Sequence, residues 1–215
     1  MRRRAWSSDG SSTPVTYGLL GAIVVIYGGQ LLTSGLVTEW LLYYPPFTLT
    51  EPWRMITSLF VHSERSLFHI LFNGYSLWVL GTILERMVGS WRFAGLFALS
   101  GLGGSLAVLW LAPGSAVIGA SGAIFGLFGA LLVIQRSFGV TNPQLLVVVV
   151  INLVLGFLVP GVSWQAHIGG LITGLALAWG LVAIRERGQH RGSAAVMGIA
   201  FGVIAVLTVA RFVLA

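Results

Sequence analysis

A serine flanked by small residues, in the run Gly119-Ala120-Ser121-Gly122, stands in the middle of a chain that is apolar almost from end to end. A hydroxyl is a weak nucleophile until a neighbouring base takes its proton, and an imidazole, with a pKa of about 6.5, suits that task at neutral pH. The chain holds four histidines, His62, His69, His167 and His190. Elimination narrows the chemistry. The absence of cysteine excludes disulfides, thiol nucleophiles and thiolate metal sites. The only aspartate is Asp9, near the N-terminus, so paired aspartates facing each other and a full serine-histidine-aspartate triad are both excluded. There is no lysine for a serine-lysine dyad, and the histidines do not form the HExxH spacing of a zinc peptidase. Ser121 with His167 is the nucleophilic pair that remains.

The elements that position such a pair follow from composition. With 56% hydrophobic residues, 8% charged residues and a mean hydropathy of +0.91, the chain departs from soluble proteins, in which about a quarter of residues are charged. The reading is a polytopic membrane protein of one domain. Spans of roughly 20 apolar residues are expected at 15–34, 67–86, 92–112, 118–135, 143–160, 164–184 and 194–214, the fourth and fifth being short for a full crossing. Pro113-Gly114, Pro160-Gly161 and the charged run RERGQHR mark breaks between them. A tail over 1–14, a six-helix unit over 15–185 with an outer loop at 35–66, and a loop plus seventh span over 186–215 complete the division.

Orientation follows from arginine. A cytoplasmic N-terminus places Arg2, Arg3, Arg4, Arg86, Arg92, Arg136, Arg185, Arg187 and Arg191 on the inner side, most of the twelve basic residues. The basic balance is thereby explained by topology, without nucleic acid. The N-terminal apolar run reads as a retained span, because no convincing cleavage site follows it. Trp40, Tyr43, Tyr44, Pro45, Pro46, Trp53 and Arg54 give the loop at 35–66 the character of a folded interfacial segment, a floppy connector being the alternative.

Polar side chains inside spans are expensive and ask for an account. His69 and Asn73 lie near the start of the second span, Ser121 near the start of the fourth, and His167 near the start of the sixth. Spans two, four and six run the same way, so all four groups meet at the outer side. His69 and Asn73, four residues apart, share a helix face and can donate to a developing oxyanion. The free N–H groups at the start of the fourth helix, that of Ser121 included, add to them. Phe125, one turn after Ser121, can stack on the imidazole and orient it in place of an aspartate. Gly119 permits an unusual backbone angle before the serine. Gly170 and Gly174 follow His167 on one face, opposite a Gly122/Gly126 step, and allow close helix approach.

Each residue alone has an ordinary reading as packing or interhelical hydrogen bonding; their joint placement at one membrane face favours a site. Asn152 in the fifth span reads as structural, and His62, in the loop before the second span, as a surface residue, with retention of water or support of the site as the alternative.

At this point HILFN at 69–73, GASG at 119–122 and AHIGGLITG at 166–174 resemble, in order, the signature segments of the rhomboid family of intramembrane serine proteases. Trp53-Arg54 and Glu85-Arg86 are similar to that family as well. The resemblance implies an all-α, rhomboid-like six-helix bundle around a water-filled cavity open to the outer side. It implies Ser121 as nucleophile, His167 as general base, and an oxyanion hole of His69, Asn73 and the Ser121 backbone. Gly119, Phe125, Gly170, Gly174, Trp53 and Arg54 would support the site. Some bacterial members carry tyrosine where Phe125 stands, so a phenolic hydroxyl is absent here. The seventh span resembles the 6+1 form, and its Gly198 and Gly202 suggest docking against the core.

The reading is therefore an intramembrane serine endopeptidase that cuts transmembrane substrate proteins in the bilayer through an acyl-enzyme, with no cofactor, metal or nucleic acid, in a bacterial inner membrane. A rhomboid-like pseudoenzyme that binds membrane proteins without cutting them is the first alternative. A small transporter is the second, disfavoured because the polar groups cluster at one face instead of tracing a path.

Overall fold

Runs of Leu, Val, Ile, Ala and Gly with little polar alternation have one economical fold in hydrocarbon: helices, which satisfy every backbone group internally. The computed structural model describes residues 12–159, 161–188 and 192–214. The expectations for Arg2, Arg3, Arg4, Asp9, Pro160, His190 and Arg191 lie outside the described residues. Seven helices match the seven expected spans: α1 (Pro14–Leu32), α4 (Leu67–Val88), α5 (Ser90–Leu111), α6 (Ser121–Ser137), α7 (Pro143–Leu158), α8 (Trp164–Glu186) and α9 (Ser193–Val213). Two short helices, α2 (Leu36–Leu41) and α3 (Arg54–Thr57), lie in the loop after α1. Among the described residues there is no strand, only an isolated bridge between Tyr43 and Val117. Five helices are long and apolar enough to cross a membrane, while α6 and α7, at 17 and 16 residues, are shorter. At about 1.5 Å per residue those two reach about 25 Å, less than the roughly 30 Å of a hydrocarbon core.

Local chemistry explains the helix ends. Pro14 opens α1, and the Glu85 carboxylate of α4 caps it by accepting from the Val15 and Thr16 N–H groups and the Thr16 hydroxyl. Asn142 caps α7 through the Leu145 N–H, and Ser163 caps α8 through the Ala166 N–H.

The centre of the bundle is α5, α6 and α8, held at backbone distance by small residues. A Cβ added at Gly170 would land on the Gly122 carbonyl oxygen, and one at Gly174 on the Gly126 carbonyl oxygen. Gly104 of α5 approaches the Ala166 carbonyl in the same way, with room for no more than a hydrogen. Larger side chains fill the remaining space, with Leu77, Leu84, Phe93, Phe97, Leu127 and Leu181 fully buried.

The seventh expected span does dock on this core, but not through the glycines expected to do it. Among the described residues, nothing beyond the backbone of α9 itself stands within 4 Å of a Cβ built on Gly198 or Gly202. The small residues at the contact belong to the core instead: Met197 of α9 fills the space at Gly95 of α5, and Val196 that at Gly180 of α8. Arg92 Nε donates to Ser193 Oγ at 2.9 Å, and Trp110 Nε1 to the Leu207 carbonyl at 3.2 Å. A helix that brings side chains to a partner's glycines leaves its own glycines free to face elsewhere.

The loop at 35–66 is folded and tied at many points. Buried Arg54 pairs with Glu51 and donates to the Glu39 and Leu42 carbonyls. Buried Tyr43 shares a hydrogen bond with Thr48 at 2.8 Å, and burial pushes its phenol up to about 12. Ser105 Oγ of α5 donates to the Met55 carbonyl at 2.7 Å, fastening the loop to the core.

Candidate active site

The segment before α6 is built by that loop. Tyr43 and Val117 exchange backbone hydrogen bonds of 3.1 and 2.8 Å, and the Gly119 N–H donates to the Ser58 carbonyl at 2.9 Å. Gly119 is thereby held at φ +109°, a region costly for any side chain. A Cβ there would also stand 2.6 Å from His69 Nε2. Two independent reasons therefore restrict position 119 to glycine. The chain then turns into α6 with Ser121 as its first residue, where N–H groups have no helical carbonyl to bond.

His167 sits in the first turn of α8, 6% exposed, with Nε2 3.0 Å from Ser121 Oγ. For Nε2 to accept the serine proton, Nδ1 must carry the ring hydrogen. Nδ1 is buried with no hydrogen-bond partner among the described residues, so none of their carboxylates orients the ring. Its face lies on the Phe125 ring, centroids 4.2 Å apart and planes 19° from parallel. Its Nδ1 edge meets α7 at Gly156, where an added Cβ would stand 3.0 Å away. The imidazole is held by shape.

Across the site, His69 is held by a hydrogen bond. The Ser63 N–H donates to His69 Nδ1 at 3.1 Å, which places the ring hydrogen on Nε2, the atom nearest Gly119. Asn73, one turn further and buried, donates Nδ2 to the His69 carbonyl at 2.7 Å, and its Oδ1 is buried without a hydrogen-bond partner among the described residues. His69 thus stands beside Gly119, and Asn73 follows it by one turn on the same face of α4.

His62 corrects the sequence reading. It is not a surface residue but fully buried, 0% exposed, with its ring centroid 5.1 Å from that of His69 and Nδ1 3.3 Å from the Phe60 carbonyl. Burial, with the nearby His69 adding to it, pushes His62 down to about 4, so it is neutral at pH 7. Asn152 lies on α7 and donates to the Val148 carbonyl of its own helix at 2.8 Å. Trp53 is half exposed at the start of α3, and Arg54 ties the loop together through the Glu39 and Leu42 carbonyls.

Two residues at the site escaped the sequence reading. Gln30, in the last turn of α1, is fully buried, and its amide brackets the His62 backbone. Gly156 closes the far edge of His167. Gln30 carried a visible signal, an amide near the end of an apolar run. Gly156 carried none, because glycine is common in membrane helices.

Residues 49–184 match the model of the rhomboid domain family. The chain belongs to the rhomboid family. It is 36% identical over 186 residues to the rhomboid protease GluP of Bacillus subtilis (strain 168), covering 83% of this chain and 36% of that protein. It is 36% identical over 143 residues to the putative rhomboid protease YdcA of the same organism, covering 64% of this chain and 71% of that one. RHOMBOID-like protein 6, mitochondrial, of Arabidopsis thaliana is 34% identical over 145 residues, 64% of this chain and 46% of that protein. The chain thus spans less than half the length of the first of these relatives. The likeness read from HILFN, GASG and AHIGGLITG holds at the level of family, and so does the all-α bundle. Family and apolar helices together make this rhomboid chain a multi-pass membrane protein.

Proposed function

We propose that this rhomboid protein is an intramembrane serine endopeptidase that cleaves transmembrane substrate proteins by a Ser121–His167 dyad through an acyl-enzyme. The observation that carries the reading is the 3.0 Å approach of Ser121 Oγ to His167 Nε2 in a chain without thiol, lysine or membrane aspartate. Ser121 Oγ attacks the scissile carbonyl carbon while its proton passes to Nε2. The oxyanion so formed lies against the start of α6, where the Ser121 N–H and the His69 Nε2–H can donate to it, joined by the Asn73 amide once it turns from the His69 carbonyl. Collapse expels the amine, which takes the proton from the imidazolium and leaves an ester on Ser121. Water, deprotonated by His167, then releases the acid and restores the hydroxyl.

The reading extends to topology. Arg86, Arg92, Arg136, Arg185 and Arg187 all lie at the helix ends away from Ser121. The positive-inside rule makes that end cytoplasmic, so the site opens outward. We take 15–185 as the catalytic unit, with α9 as an addition to it.

The test is cleavage of a transmembrane substrate by purified protein in detergent, wild type against Ser121→Ala and His167→Ala. The reading expects a loss of about 10³-fold or more in both variants, with thermal unfolding unchanged. Equal activity in all three would overturn the dyad.

A further inference from the structure

The geometry points to Gln30 as a positioning residue for the oxyanion donor His69, acting through the backbone of residues 62 and 63. This rests on the reading of His69 as a donor to the oxyanion, and its test is chosen to fail separately from that reading.

The observation is a chain of hydrogen bonds with one sense. Glu64 Oε1 accepts from the Thr38 hydroxyl at 2.5 Å, so the Thr38 oxygen is left to accept from Gln30 Nε2 at 2.8 Å. The same Nε2 donates to the His62 carbonyl at 2.7 Å, and Gln30 Oε1 accepts the His62 N–H at 3.0 Å. The amide orientation is fixed by its partners, because reversing it would oppose two donors at one end and acceptors at the other. With the His62 peptide groups bracketed, the next N–H, that of Ser63, is presented to His69 Nδ1 at 3.1 Å. A ring nitrogen that accepts cannot carry the hydrogen, so His69 is held in the Nε2–H form with that atom beside Gly119.

Gln30 touches neither the serine nor the dyad histidine. It is 0% exposed at the end of α1, a full span away in sequence from any signature residue. A buried amide that only fastened α1 to the loop would need one good partner; this one uses both ends on consecutive groups of the loop segment that sets the His69 tautomer. The neighbouring His62 ring, packed on the His69 ring, limits the alternatives by steric closure.

The experiment compares wild type with Gln30→Met, which keeps length and loses the hydrogen bonds to Thr38 and to both His62 groups, and Gln30→Glu, which keeps the acceptor and opposes the His62 carbonyl with another oxygen. The first readout is the ring-nitrogen NMR of histidine-labelled protein, with His69 assigned by its loss in His69→Ala. Wild type is expected to show one protonated and one bare nitrogen of the Nε2–H form; both variants are expected to show a mixture of the two neutral forms. The second readout is substrate turnover, expected to lose about tenfold in kcat with KM within twofold, a fraction of the 10²–10³ that removal of a whole oxyanion donor costs. Phosphonylation of Ser121 by a fluorophosphonate should slow to the same degree. An unchanged His69 tautomer in both variants overturns the proposal, as does a loss confined to KM or matched by the fall in folded protein alone. Because the tautomer is read without turnover, inactivity of the wild type would count against the protease reading and leave this result standing. If Gln30→Met does not fold, Gln30→Glu decides.

Discussion

The two sides of the candidate site are held by different physics. Ser121 and His167 ride on α6 and α8, whose backbones touch through Gly122, Gly126, Gly170 and Gly174. His69 and Asn73 ride on α4, and the ring of His69 is set by a hydrogen bond from a loop that is itself tied to α1. Packing places the first pair and polarity the second. Packing is unforgiving: a methyl group either fits or moves a helix. Polar placement is graded, since one lost hydrogen bond changes populations without dismantling the bundle.

The largest expected effect breaks the packed side. Gly170→Ala and Gly174→Ala each drive a Cβ into a carbonyl oxygen of α6, backbone that no side-chain rotation can relieve. Overpacking costs about 1–3 kcal/mol where side chains can yield, and more is expected here. Both variants should lose activity and folded protein together, read by cleavage and by thermal unfolding in detergent. A fully active Gly170→Ala would mean that α6 and α8 stand further apart than the structure has them.

On the polar side, His69→Ala and Asn73→Ala are expected to lower kcat by about 10²–10³ and leave KM and the unfolding midpoint nearly unchanged. The contrast with the glycine variants is the point: same site, activity lost without the fold. Phe125 sits between the two classes. Its ring contributes a stack worth about 0.5–1.5 kcal/mol to the placement of His167, so Phe125→Leu should cost about three- to tenfold in kcat, and Phe125→Tyr should retain the stack and the rate.

The sequence made the packed side legible and the polar side only half so. Ser121, His167 and their glycines repeat at helical intervals, and helix periodicity turns those intervals into shared faces. His69 and Asn73 were visible for the same reason. The support of His69 was not, because it runs from Gln30 through residues 62 and 63 in a loop with no period to read. His62 illustrates the failure: a histidine between two elements reads as surface until tertiary structure closes over it. Gly198 and Gly202 illustrate the reverse, since a GxxxG step tells that a helix face is smooth without telling what lies against it.

His62 gives the comparison a pH axis. Its folded value is depressed to about 4 from an ordinary 6.5, so the unfolded chain takes up a proton first as pH falls. Stability from this group is complete above about pH 6.5 and is lost progressively down to about pH 4, amounting to about 2 kcal/mol at pH 5. Unfolding midpoints between pH 7.5 and 5 should fall in wild type and fall less steeply in His62→Gln. Parallel slopes would mean that the loop admits water to the ring.

The smallest expected effect is that of the glycines of α9 itself, and set beside the glycines that α9 packs on it sharpens what close approach means in this fold. Gly95 and Gly180 face α9 and are occupied by Met197 and Val196, so Gly95→Leu and Gly180→Leu should detach the helix and lower the unfolding midpoint. Gly198 and Gly202 have nothing within 4 Å of an added Cβ, and replacing glycine inside a helix favours the helix by up to about 1 kcal/mol. Gly198→Leu and Gly202→Leu are therefore expected to leave activity unchanged and the midpoint level or slightly raised. A marked loss in either variant would show that this face of α9 is covered in the membrane by something other than lipid, which a crosslinking measurement from position 198 would then identify.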